Sequence, residues 1–141
     1  MELIYFVDKI LKYCPVKLYL EKYLPSFQDN LIMAKRKQKI LADIDAKLSY
    51  IKENKGMPTP PISKPLRGYS FFEILNTKDS KTVIRILYFC YQNKLVLLHA
   101  FEKPSSYSKE KERRWINRQY QIAQKYVYSF KLNPQNYEKY K

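Results

Sequence analysis

The chain has 141 residues, 45% of them hydrophobic and 16% aromatic, which excludes an intrinsically disordered polymer and predicts one domain with a real core. Lys and Arg number 27 against 13 Asp and Glu, a net charge of +14, and no stretch reaches the ~20 apolar residues of a membrane helix. The first 56 residues carry 11 basic and 7 acidic side chains (+4) and the remainder 16 and 6 (+10), so the field that draws a polyanion is concentrated in the second part. Glu2 stands where a signal peptide would be basic, and a cytoplasmic location without membrane partner is expected. With one histidine and two distant cysteines, Cys14 and Cys90, no metal site and no cofactor are expected, and the thiols read as packing groups.

In chain order, "LIYFV" (residues 3–7) predicts a first strand. Pro15 opens a short helix with Val16, Tyr19, Leu20, Tyr23 and Leu24 at helical spacing, and Pro25 stops it. A longer helix is predicted from about Asp29 to Asn54, with Ile40, Leu41, Ile44, Leu48 and Ile51 as its apolar stripe and Gly56 as its C-terminal cap. "MPTPPISKP" (57–65) excludes helix and central strand and reads as a connector. Three strands follow at 69–75, 82–91 and 94–103, an antiparallel meander within 66–103. A last helix over 108–128 carries Ile116, Tyr120, Ala123 and Val127 on one stripe, with Glu110 and Glu112 in its first turn. Residues 129–141 read as a frayed tail. The expected fold is α+β, one domain in the order β-α-α-β-β-β-α, with an antiparallel sheet and the helices packed on one face.

Two residues of the hairpin stand out: Arg85 inside an apolar strand and His99, the single histidine, amid leucines. A buried guanidinium needs a partner or a task. Arg85 either grips a phosphate or forms an ion pair with Glu73 or Glu102, and His99 either acts as acid or base or packs in the core. Register separates these readings. A two-residue Gln92–Asn93 loop opposes Arg85 to Ala100 and sends His99 and Lys103 to the far face, whereas a three-residue loop opposes Arg85 to His99 and gathers Arg85, His99, Phe101 and Lys103 on one face.

The words "KPLRGYSFFEIL" and "IRILYFCYQNKLVLLHAFEKPSSYSKEKE", in this order and spacing, resemble the RelE/HigB superfamily of toxins from bacterial and phage toxin–antitoxin modules, in its phage-derived HigB-like branch. The match is strong from Lys64 to about Glu112 and architectural before that. The resemblance implies a RelE-like compact sandwich and a ribosome-dependent endoribonuclease that cuts translated mRNA. It also implies a cognate antitoxin, a helix-turn-helix protein that holds the toxin inactive and through which alone operator DNA is met. Carried onto this chain, it gives Arg85, Lys103 and His99 as catalytic residues and Lys64, Arg67, Lys109 and Arg113 as RNA contacts. Two positions depart from the family pattern: Leu75 stands where an arginine is expected and Pro104 where a second lysine is, and each removes a positive charge.

Metal-free RNA cleavage uses the substrate's 2′-OH as nucleophile. It requires removal of that proton, stabilisation of charge on the phosphoryl oxygens and protonation of the leaving 5′-oxygen. The planar guanidinium of Arg85 suits the phosphate, Lys103 shares that role or gives up a proton where neighbouring positive charge favours the neutral amine, and His99 serves as base or acid, with Glu73 as a weaker base. Two other functions use the same residues differently: a non-nuclease gyrase inhibitor of the ParE kind, and a basic RNA- or protein-binding module without catalysis.

Overall fold

The computed structural model describes residues 1–137. Its elements are β1 (Glu2–Tyr5), α1 (Pro15–Glu21), α2 (Leu31–Glu53), β2 (Ser63–Pro65), β3 (Phe72–Thr77), β4 (Val83–Tyr91), β5 (Lys94–Glu102) and α3 (Lys109–Leu132), followed by a 3-10 turn, Pro134–Tyr137. Five strands form one sheet in the order β1-β5-β4-β3-β2. The class is α+β, and the meander β3-β4-β5 lies at its centre as expected. No helix among the described residues is long and apolar enough to cross a membrane.

Three architectural expectations are corrected. First, the sheet is mixed rather than antiparallel, because β1 runs parallel to β5 with Leu3 beside Leu95 and Tyr5 beside Leu97. After α1 and α2 the chain re-enters the sheet at β2, on the edge opposite β1, and β1 covers the edge of β5; the Phe6 N–H donates to Leu97 O at 2.9 Å. Second, the helices cover both faces. Along β4, Ile84, Ile86 and Tyr88 pack with Ile44, Leu48 and Ile51 of α2, while Leu87 and Phe89 pack with Ala123, Val127 and Phe130 of α3. A strand apolar at every position has two faces to bury, and one helical layer covers only one of them. Third, the connector contributes an extra strand, β2, antiparallel to β3 with Lys64 opposite Glu73. It is an outer strand, where Pro65 costs the sheet no ladder bond.

The helices start and stop for local reasons. Pro15 is the first residue of α1. The Asn30 side chain caps α2 by accepting the Met33 N–H at 2.8 Å, and the Gly56 N–H closes the far end on Ile51 O at 2.8 Å with φ +79°. Ser108 caps α3 through the Lys111 N–H, with Glu110 and Glu112 in the first turn. The frayed tail is also corrected as far as Tyr137. Phe130 is buried against Phe89, so α3 continues past Tyr128, and Tyr137 is buried with its ring 4.9 Å from Phe130 and 5.4 Å from Phe6. Residues 138–141 of that expected tail lie outside the described residues.

Candidate functional site

The hairpin resolves its register in a way neither expected loop provides. The turn is the two-residue one, with Tyr91 opposite Lys94, yet Arg85 faces Phe101 and not Ala100. The shift comes from a bulge: Leu87 pairs with His99 and Tyr88 with Leu97, so Leu98 is the extra residue. Leu98 packs into the α3-side core, and His99 beside it also turns to α3. Beyond the bulge Phe101 and Lys103 follow on the same side, while Ala100 and Glu102 face the other. Arg85, His99 and Lys103 therefore share the α3 face of the sheet.

Each of the three is held by a neighbour. Glu73, with a fully buried side chain, is the hub: Arg85 Nη1 lies 3.2 Å from its Oε1, Lys64 Nζ 3.6 Å from the same oxygen, and the Tyr120 hydroxyl donates to Oε2 at 2.8 Å. Glu73 rather than Glu102 is thus the partner of Arg85; Glu102 lies across the sheet with Lys22 and Lys78. The Arg85 side chain is 20% exposed, so it is not wholly sealed from solvent. Burial, reinforced by the negative charge of Glu73, pushes the Tyr120 phenol well above its ordinary value and keeps it a neutral donor. Enclosed by these partners, Glu73 is not placed to act as a base.

His99 lies between Phe101 and Tyr126, with ring centroids at 5.7 and 6.0 Å. Its Nε2–H donates to Gln119 Oε1 at 2.6 Å, which leaves Nδ1 as the bare lone pair, buried without a partner among the described residues. Burial lowers its pKa from 6.5, with the Gln119 hydrogen bond opposing, so the neutral ring is favoured. Lys103 Nζ sits 2.9 Å from Glu112 Oε2 at the start of α3. Its close neighbour is therefore negative, the opposite of what a proton-donor role asks for.

The expected RNA contacts surround this face. Arg67 stands exposed at the tip of a turn in which the Tyr69 N–H reaches Leu66 O at 3.2 Å and Gly68 takes φ +85°, the left-handed third position of a type II turn. Lys64 is half-exposed beside Glu73. Lys109 and Arg113 are exposed on α3 and, with Ile116 and Tyr120, recur at helical spacing along the flank that reaches Glu73. Three participants escape the sequence reading, namely Tyr120, Gln119 and Glu112. Tyr120 looks like one more core aromatic, and nothing local distinguishes a tyrosine that donates into a buried carboxylate from one that merely packs. Among the described residues no three or more His, Cys, Asp and Glu side chains gather as a metal site would require.

No family model matches the chain, and neither a curated protein nor a solved structure does.

Proposed function

We propose that the chain is a toxin of the RelE/HigB kind, a ribosome-dependent endoribonuclease that cuts translated mRNA by attack of the 2′-OH on the adjacent phosphate. The observation that carries this reading is the α3 face of the β4–β5 hairpin. There a bulge brings Arg85 and Lys103 to one side of the sheet, beside Lys64 and within a basic rim that includes Arg67, Lys109 and Arg113. Arg85 meets the scissile phosphate and stabilises charge on its oxygens, with Glu73 and Tyr120 fixing the guanidinium from behind. Lys103, released from Glu112, supplies a second charge. The placement of His99 under α3 makes it a support that holds Gln119; the 2′-OH proton passes to solvent, the P–O5′ bond breaks as the 2′-oxygen bonds to phosphorus, and water protonates the leaving 5′-oxygen. This assigns the chain an electrostatic contribution, for which loss of one donor costs roughly 10²–10³-fold in rate. The partners on this reading are the ribosome with its mRNA and a cognate antitoxin that covers the basic face.

One observation favours a second reading, a non-catalytic binding module: Arg85, Lys103 and His99 are each already engaged within the chain. Inducible expression in a bacterial host separates the two. Wild type should arrest growth with cuts inside translated codons, mapped by primer extension, and Arg85→Ala, shown by circular dichroism to be folded, should abolish both. Growth arrest by both proteins without mRNA cuts would leave the binding reading in place.

A further inference from the structure

On the other flank of α3 lies a cavity of about 230 Å³ lined by Tyr107, Lys111, Arg114, Trp115 and Arg118. The rings of Tyr107 and Trp115 meet edge to face at 6.0 Å, and Lys111 Nζ lies 4.5 Å above the Tyr107 ring. Lys111, Arg114 and Arg118 are three and four residues apart, so the helix stacks three like charges on one side. Such neighbours repel one another. No carboxylate lines the cavity, and none of the three cations is in a salt bridge among the described residues. The indole Nε1–H of Trp115 is buried and also lacks a partner there. The larger cavity of about 610 Å³ beside α2 differs: it contains Asp43 and Asp79, and its Lys22, Lys37 and Lys78 pair with Glu102 or Asp29.

Uncompensated cations against an aromatic pair describe a site for a flat ring joined to an anion. The volume falls below the roughly 300–1,000 Å³ of pockets for drug-sized ligands, which selects one ring over a larger cofactor. We propose that this cavity binds one nucleotide of a single-stranded RNA, its base stacked on the Tyr107 ring with Trp115, at 80° to that ring, closing its edge, and its phosphate gripped by Arg114 and Arg118 with Lys111. A single strand is specified because a base paired inside a duplex cannot offer its face to a side chain, whereas an unpaired one can. That the strand is RNA rests on the function proposed above; the site itself rests on these five residues. It holds the strand on the flank of α3 opposite Tyr120, away from the Glu73 cluster.

Trp115 is the only tryptophan in the chain and so reports on its own site. The experiment titrates the full chain with octauridylate, octathymidylate, a duplex RNA of equal length and inorganic phosphate, following tryptophan emission and, with labelled strands, anisotropy. Octauridylate should quench Trp115 saturably while duplex and phosphate leave it unchanged. Tyr107→Ala should weaken binding roughly 5- to 150-fold. The exposed pair Arg114→Gln/Arg118→Gln should weaken it at least tenfold and lower the salt slope by about 1.4, two contacts at about 0.7 each on a single strand. The charge-matched pair Arg36→Gln/Lys39→Gln on α2 should change little. Equal weakening by the α2 pair, equal quenching by duplex, or binding without quenching would overturn the site. Equal quenching by octathymidylate would overturn the choice of RNA. Quenching by a chain that cuts no mRNA in cells would remove the nuclease and keep this site, while cutting without quenching would do the reverse.

Discussion

Replacing Glu73 by Gln removes one charge from a fully enclosed position with little change of shape and turns one acceptor oxygen into an N–H donor, so the oxygen stays toward Arg85 and the Tyr120 hydroxyl must accept where it now donates. A hydrogen bond to a charged group contributes about 1.5–3 kcal/mol and a neutral one about 0.5–1.5, so each bond that loses its charge forfeits about 1 kcal/mol. Two bonds are affected, from Arg85 at 3.2 Å and Tyr120 at 2.8 Å. Lys64, 47% exposed and 3.6 Å away, adds at most a few tenths of a kcal/mol. The expected destabilisation is therefore about 2 kcal/mol, below the ~3–5 kcal/mol of breaking a wholly buried pair because Arg85 retains some solvent. Unfolding entropy scales at about 2.1 cal/mol/K per residue, so 2 kcal/mol in a chain of this length lowers Tm by about 7 °C. Urea and thermal denaturation measure both quantities. The double variant Glu73→Gln/Arg85→Met should recover part of the loss, since the unpaired cation is gone. A Glu73→Gln variant within about 0.5 kcal/mol of wild type would refute the hub, as would a double variant less stable by the sum of the two single changes.

Three other outcomes follow from the same geometry. Burial depresses the pKa of His99, so below pH of about 6.5 the unfolded chain takes up a proton that the folded chain resists; stability present above that pH is lost as the pH falls through it. The Tm difference between wild type and His99→Gln should be flat from pH 6.5 to 8 and shift against wild type below, as scanning calorimetry across that range will show. Gly56→Ala drives a Cβ into Cys90 Sγ at φ +79° and should cost about 2–3 kcal/mol in urea denaturation, whereas Gly68→Ala at φ +85° meets open space and should cost only about 1–2 kcal/mol. Tyr137→Ala removes a buried ring stacked on Phe6 and tilted against Phe130 and should cost about 3–5 kcal/mol, with a loss of near-ultraviolet circular dichroism.

The elements were legible wherever a local rule fixes them. Pro15 begins α1, Gly56 closes α2, and "QN" turns the β4–β5 hairpin, all close to where the sequence places them. The hairpin's faces were not legible, although the site depends on them. In "LVLLHA" both sides of the strand are apolar, so the alternation that normally fixes register is absent, and nothing marks Leu98 as the extra residue. The Arg85–Glu73 pair was one of two partners anticipated for that arginine. Choosing it over Glu102 required knowing which side of the sheet each carboxylate occupies, and the bulge decides that for Glu102. Tyr137 gave no periodic signal at all; only the tertiary placement of Phe6 and Phe130 buries it.

The most direct test of the central claim is the chemistry of the cut ends in a cell-free translation system supplied with the purified chain. The account predicts fragments carrying a 5′-hydroxyl and a 2′,3′-cyclic or 3′-phosphate, produced only while the message is being translated, with Arg85→Ala slower by roughly 10²–10³-fold. Intact message, 5′-phosphate ends, or unchanged cutting by Arg85→Ala would contradict it.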